Sequence, residues 1–421
     1  MALTIALMTL GTRGDVAPML ALGQALKARG HRVRLAGPDD AGEWVRSHGF
    51  EFHSLGFDIE AFLQSPAVKE KLSGGPLALA RIWWRDVLPT AHRMFRAIGR
   101  AAEGCDVIVS HPKVVGSHDA AVANRALYLR AHFLPLTPTH HFPPPVFTRE
   151  LGYLNRPLYQ LFRLSRLPYL NQLNAWRHEL GLPPGPWFDS LSHPSLCAVS
   201  PAVLPRPSDW PDQHFMTGYW FFDDPAEWQP DPALADFLGA GEPPIYIGFG
   251  SMTSQNPQEL SQRVVEAVRL ADCRAVLGLG WGALDHCNDE RVHALKSAPH
   301  HALFPLCLAV VHHGGAGTTA QGLRAGLPTL ICPFFADQPF WGQRVLQKGC
   351  GPIPLSLEGA SAEQLAGRLK ELANPDYRRS AEFVAGELAK EDGPGKAAAI
   401  IEAMAAQSGK GEKALQRGFQ R

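Results

Sequence analysis

The chain has 421 residues, 45% of them hydrophobic and 19% charged, which is more than one ordinary core sustains and implies two globular domains. Lys and Arg together number 40, as do Asp and Glu, so the formal net charge is zero and a basic nucleic-acid-binding protein is excluded. The seven cysteines, Cys105, Cys197, Cys273, Cys287, Cys307, Cys332 and Cys350, form no CxxC pair; such a set fits free thiols in the cytoplasm better than a disulfide framework.

The N-terminal "MALTIALMTLGTRGD" has no basic segment or cleavage site and reads as a first strand, not a leader. No run is apolar and long enough to span a bilayer. "LTIALMTL" is followed by a turn, "GTRGDVAP", then by the helical period of "MLALGQALKARG" and the strand "HRVRLAG". "CDVIVSHP" and "RALYLRAHFLP" contain further strands. Strands alternating with helices imply a parallel sheet covered on both faces. From 135 to 232 the pattern degrades through proline-rich stretches, with helix expected near "LNQLNAWRHELG". A second series of strands and helices opens at "PIYIGFGSM" and continues through "CRAVLGLGWG", "LAVVHHGG" and "PTLICPFF". The expected fold class is therefore α/β, with two doubly wound Rossmann-like domains. The expected bounds are 1–222, a linker at 223–242, 243–405, and a flexible tail at 406–421.

The strongest local signal is "HHGGAGTT" at 312–319. It places a strand end before a helix expected to begin near Thr318, and open α/β sheets bind ligands at that edge. Gly315 and Gly317 allow close approach to free backbone N–H groups, as a diphosphate requires. Adjacent histidines without HxxxH or HExxH spacing do not make a metal site. A glycine turn with one core histidine is the alternative. Asp337 and Gln338 in "FFADQPFW" are suited to vicinal hydroxyls of a sugar; Asp337 could equally cap the following helix. Ser251, in "GFGSM", could reach the same phosphates or merely end its strand. Asp15, in "GTRGDVAP", is either a general base or a helix cap.

These motifs carry a resemblance. "VVHHGGAGTTAQGLRAGLPTLICPFFADQPFWGQRV", "GTRGDVAP" and "IYIGFGSM" resemble the signatures of the family 1, GT-B-fold glycosyltransferases. Within that family they are most similar to the sterol glucosyltransferase and bacterial antibiotic glycosyltransferase branch. The resemblance implies that two domains face a central cleft, the first holding the acceptor and the second a nucleoside diphosphate sugar. It implies a metal-independent, inverting hexosyltransferase without cofactor, using a UDP- or dTDP-sugar as co-substrate. Asp15 matches the catalytic base. Gly14, Ser251, His313, Gly315, Ala316, Gly317 and Thr318 match the donor phosphate region, and Asp337 and Gln338 the sugar-holding pair. A nucleobase-site tryptophan of plant and animal relatives is replaced here by Ser297, two residues before Pro299. The base region then falls to Pro299 and His300, and uridine and thymidine are not distinguished.

No carboxylate is identifiable as partner of the base; Asp119 and His111 are candidates by region. Together with Trp83, Trp84 and His140 they are also acceptor-site candidates. The segment 79–100, with its tryptophans and arginines, reads as a lid over an apolar acceptor, as a peripheral contact with the inner membrane face, or as an ordinary core helix. The expected acceptor is a hydroxyl of a sterol, polyketide or lipid, and the protein a monomer or dimer. Two other functions remain open: a sugar-nucleotide epimerase of related fold, and a non-catalytic auxiliary subunit.

Overall fold

The computed structural model describes residues 2–65, 85, 87–147, 149–224, 228–250, 256–280, 284–285 and 289–409. Among these residues the first domain is built on seven parallel strands: β1 (Thr4–Met8), β2 (Arg32–Gly37), β3 (Glu51–Ser54), β4 (Val107–Ser110), β5 (Leu127–His132), β6 (Ser195–Cys197) and β7 (His214–Met216). Their order is β3-β2-β1-β4-β5-β6-β7. The central strands are buried on both faces, which explains their near-continuous apolar sequences. β6 and β7 lie in the stretch where no regular pattern was expected. At three residues each, they are too short to show periodicity and exist by pairing onto β5 and onto each other.

The second domain carries β8 (Ile245–Gly248), β9 (Ala275–Gly278), β10 (Val292–Leu295), β11 (Ala309–His312) and β12 (Thr329–Ile331). All are parallel, in the order β10-β9-β8-β11-β12.

Two helix starts differ from expectation. The first helix spans Arg13–Ala28, so "GTRGDVAP" is not a turn throughout. Thr12 is the N-cap, and Asp15, three residues on, accepts the Thr12 N–H at 3.1 Å, a reciprocal cap that outweighs the low helix propensity of Gly14 and Pro18. The helix after β11 spans Ala316–Arg324 with Gly315 as N-cap, two residues earlier than Thr318.

One hydrophobic cluster spans the domain junction. Phe142, Val199, Trp210 and Tyr219 of the first domain pack with Leu323, Trp341, Val345 and Leu388 of the second. The chain crosses this junction twice. A Cβ on Gly393, in the return segment, would stand 2.2 Å from the Tyr219 carbonyl oxygen in the outgoing one, so the two crossings touch backbone to backbone. The last helix, Gly393–Gln407, lies within the span expected to end the second domain, yet its core partners belong to the first. Ala397, Ala398, Ile401 and Ala405 join the cluster of Leu22 and Leu26, and Glu402 accepts from Arg29 at 3.0 Å and pairs with His31 at 2.9 Å. The short helix Pro232–Gly239 buries Leu234 against the second domain, so the connecting segment is only partly solvent-exposed.

Ile401 is fully buried. Ile401→Ala should cost about 2–5 kcal/mol and lower the thermal unfolding midpoint of the first domain; an unchanged midpoint would show that the last helix is not part of that core.

Candidate functional site

Strand order reverses once in each sheet. Chain connections leave β1 for β2 on one side, while β4 lies on the other; in the second sheet the same holds for β8 between β9 and β11. Such a reversal opens a crevice beyond the carboxyl ends of the two central strands. The first crevice is bordered by residues following β1 and β4, the second by those following β8 and β11.

On the first domain, Asp15 sits in the first turn of the helix after β1. Its Oδ2 accepts from the Thr12 N–H, and its Oδ1 accepts from Lys113 Nζ at 2.7 Å. Lys113 follows β4 and was not anticipated. The signal was present, because "VIVSHPK" runs from β4 directly into the reversal beside β1. The carboxylate is 16% exposed and the lysine side chain 52%, so the cation is the more open partner. Gly11 makes the arrangement sterically feasible: at its φ of +149°, a Cβ would fall 1.9 Å from Asp15 Oδ2. Gly14 lies exposed beside Asp15 in the same turn.

On the second domain, the two adjacent histidines separate in role. His312 is fully buried, and its Nδ1 accepts the Gly314 N–H at 3.0 Å, which shapes the turn. The His313 ring lies between two glycines: a Cβ on Gly250 would be 3.1 Å from its Cε1, and one on Gly315 would be 2.6 Å from its Nε2. Burial pushes the His313 ring down to about 4, so it is neutral at pH 7. Ala316, Gly317 and Thr318 form the first turn of the following helix, where N–H groups have no intrahelical acceptor. Gly317 faces open space. A left-handed φ of +93° at Gly314, with Ile331 and the Gln338 backbone close by, brings this turn against the loop after β12.

That loop holds Asp337 and Gln338. Asp337 stands at the cap position of helix Gln338–Gln347 without capping it. Its Oδ2 instead accepts from Trp341 Nε1 at 2.8 Å. Burial raises its carboxyl above the usual range against that hydrogen bond; the charge of Lys113 pulls it down and that of Asp15 pushes it up. Asp337 therefore lies within electrostatic reach of the first domain's pair. Gln338 is buried, and its Oε1 accepts from the Phe334 and Phe335 N–H groups, so its carbonyl end holds the loop. Phe335, 52% exposed, forms an apolar lip next to Asp337. Pro299 caps a short helix opened by His300. His300 stacks on Phe304 at 4.5 Å and is lowered to about 4, chiefly by burial, then by the charges of His313 and Arg13. Arg13, in the first helix, thus bears on the second domain's site.

Other candidates are placed elsewhere. Asp119 is fully buried and ion-paired with both Arg166 and Arg177; it anchors helix Ser117–Asn124 to the segment after β5 and is no partner of Asp15. Nor is His111, which is buried, stacks on Phe133 at 5.1 Å and accepts the Lys113 N–H on Nδ1. His140 is exposed, on a loop whose N–H is held by Asp209. Ser251, Trp83 and Trp84 lie outside the described residues. Among the described residues, no group of three or more His, Cys, Asp or Glu side chains is placed to hold a metal ion, and no helix is long and apolar enough to cross a membrane.

Comparison with known proteins gives a consistent set of relatives. Residues 5–93 match the glycosyltransferase family 28 N-terminal domain, and residues 283–404 match the erythromycin biosynthesis protein CIII-like C-terminal domain. The chain is 37% identical over 421 residues to O-mycaminosyltylonolide 6-deoxyallosyltransferase of Streptomyces fradiae, covering 94% of this chain and 96% of that protein. It is 36% identical over 408 residues to a sterol 3-beta-glucosyltransferase of Arabidopsis thaliana, covering 92% of this chain but 63% of the plant protein. The chain thus spans less than two thirds of that relative's length. Among solved structures, the kitacinnamycin glycosyltransferase superposes with a TM-score of 0.71 at 19% identity, covering 96% of this chain and 99% of that one. The calicheamicin glycosyltransferase CalG4 gives 0.68 at 18%, covering 97% and 99%.

Two measurements check this geometry. Gly11→Ala forces either a strained backbone or a displaced Asp15, and should cost roughly 1–3 kcal/mol; a wild-type unfolding midpoint would contradict the close approach. Burial also holds His214 down to about 4, like His313, against about 6.5 when unfolded. The unfolded chain then binds more protons between those values. The stability from each neutral ring is complete above about 6.5 and is lost as pH falls towards 4, by up to about 1.4 kcal/mol per pH unit. Urea midpoints should fall from pH 7 to pH 5, and less so in His214→Gln; an equal fall in both would contradict the assignment.

Proposed function

The chain belongs to the family 1 GT-B glycosyltransferases, and we propose that it transfers a hexose from a UDP- or dTDP-sugar to a hydroxyl of an apolar acceptor such as a sterol, polyketide or lipid. The observation that carries this reading is the pairing of the two strand-order reversals: an ion-paired carboxylate on one, a helix N-terminus with a neutral histidine on the other. The relatives' names, a sterol 3-beta-glucosyltransferase and an O-mycaminosyltylonolide 6-deoxyallosyltransferase, support the acceptor class. The exposed Phe335 beside Asp337 favours an apolar acceptor. A peripheral membrane contact belongs to this proposal only through a lipid acceptor, and the tryptophans of the 79–100 segment lie outside the described residues.

In this mechanism Asp15 takes the acceptor hydroxyl proton. The acceptor oxygen bonds to the anomeric carbon as the bond from that carbon to the diphosphate breaks, and the electron pair leaves on the diphosphate. The first-turn N–H groups of Ala316, Gly317 and Thr318 and the His313 ring meet the leaving group's charge. Asp337, with Gln338 holding its loop, orients the sugar hydroxyls, and Pro299 and His300 border the nucleobase. A single displacement inverts the anomeric centre. An epimerase would need no acceptor, and an auxiliary subunit no base.

A crossed screen of UDP-glucose and dTDP-glucose against sterols and polyketide alcohols, read by mass spectrometry, should give a glycosylated product. Asp15→Asn should reduce its formation by roughly 10²–10⁴-fold while UDP and dTDP affinities stay within about twofold. Transfer at the wild-type rate by that variant would overturn the base assignment; loss of nucleotide affinity without loss of turnover would reverse the domain roles.

A further inference from the structure

We infer that Lys113 is the positioning residue of the Asp15 base. This rests on the reading of Asp15 as base. The two carboxylate oxygens are held from opposite sides by unrelated parts of the chain. Oδ2 takes the Thr12 N–H of its own helix cap, and Oδ1 takes the ammonium of Lys113. One donor on each oxygen fixes the rotation of the carboxylate plane and leaves a lone pair on each oxygen for a further donor.

The lysine is itself built into place. Its N–H donates to His111 Nδ1 at 3.2 Å, and the His111 N–H donates to the Met8 carbonyl at the end of β1. Val114 N–H closes the same turn on the His111 carbonyl at 2.9 Å. Burial, with the nearby charge of Lys113, holds the His111 ring well below its usual range, so its Nδ1 is available as an acceptor. The strand that leads into the Asp15 helix therefore also fixes the loop that carries Lys113. That accounts for a buried histidine just beyond β4.

Stabilisation of the fold is not what this pair supplies. An ion pair whose cation is half exposed adds little to stability. The lysine's reach is instead across the cleft, since its charge is felt at Asp337 of the second domain together with that of Asp15. One ammonium lies within range of the carboxylate that meets the acceptor and of the carboxyl that meets the sugar. During transfer the acceptor proton passes to Asp15, the new C–O bond forms, and the diphosphate departs with its bonding pair. Lys113 keeps its own protons throughout and holds Asp15 in register.

The test uses the full chain with Lys113→Met and Lys113→Arg. With the substrate pair that yields product in the wild type, Lys113→Met should lower kcat by roughly 10–100-fold, the scale of a misplaced catalytic group, with both KM values within about twofold. Lys113→Arg should recover most of that loss. Thermal midpoints should match the wild type, and UDP and dTDP should bind all three alike. The pairing has a second readout independent of turnover. The ¹³C resonance of reductively methylated Lys113, identified by its absence in Lys113→Arg, should move in Asp15→Asn. An unmoved resonance, or a wild-type kcat in Lys113→Met, overturns the inference. If Asp15→Asn abolishes transfer while Lys113→Met does not, only the lysine's role fails and the base stands.

Discussion

A parallel sheet covered on both faces leaves a crevice only where successive connections leave in opposite directions. Both sheets of this chain obey that constraint, and each has one such place: β1 beside β4, and β8 beside β11. Asp15 and Lys113 stand at the first; the Gly250 turn, His313 and the N-terminus of helix Ala316–Arg324 stand at the second. The hydrophobic cluster across the junction and the last helix folding back onto the first domain hold the two crevices together. The candidate site is thus assembled from residues far apart in sequence by a topological rule, and the family membership adds identity to a geometry already present.

The electrostatics divide along the same line. At the second crevice His313 is neutral through burial, and the positive potential there comes from backbone N–H groups and the helix dipole. Such a site needs no rearrangement of long side chains, but it needs space, which is why Gly250 and Gly315 flank the ring. The first domain uses the opposite arrangement, a carboxylate with the Lys113 ammonium beside it. Asp337 feels both Lys113 and Asp15, so the charge state of one domain reaches the other across the cleft.

Much of this was legible in the sequence. Strands with unbroken apolar runs, such as β1, β4 and β11, announced themselves, and with them the positions of Asp15 and His313 beyond strand ends. Three-residue strands such as β6 and β7 carry no period of their own and depend on neighbours that only the fold supplies. The helix start at Arg13 was hidden by Gly14 and Pro18, whose poor propensities are overridden by the reciprocal Thr12–Asp15 cap. Asp119 looked like a partner for the base because it lies in the right region. Two buried arginines, Arg166 and Arg177, from the segment after β5 claim it instead. Lys113 went unnoticed because a search for an acidic partner passes over a lysine, and because only strand adjacency brings residues 15 and 113 together.

The central claim is that one carboxylate at the first crevice drives a single displacement on a sugar held at the second. The most direct test is the anomeric configuration of the product, read from the proton coupling constant of its sugar by NMR. From an α-linked nucleotide sugar the account predicts a β-linked product throughout. Retention of the α configuration would require a second nucleophile or a different mechanism, and would contradict it.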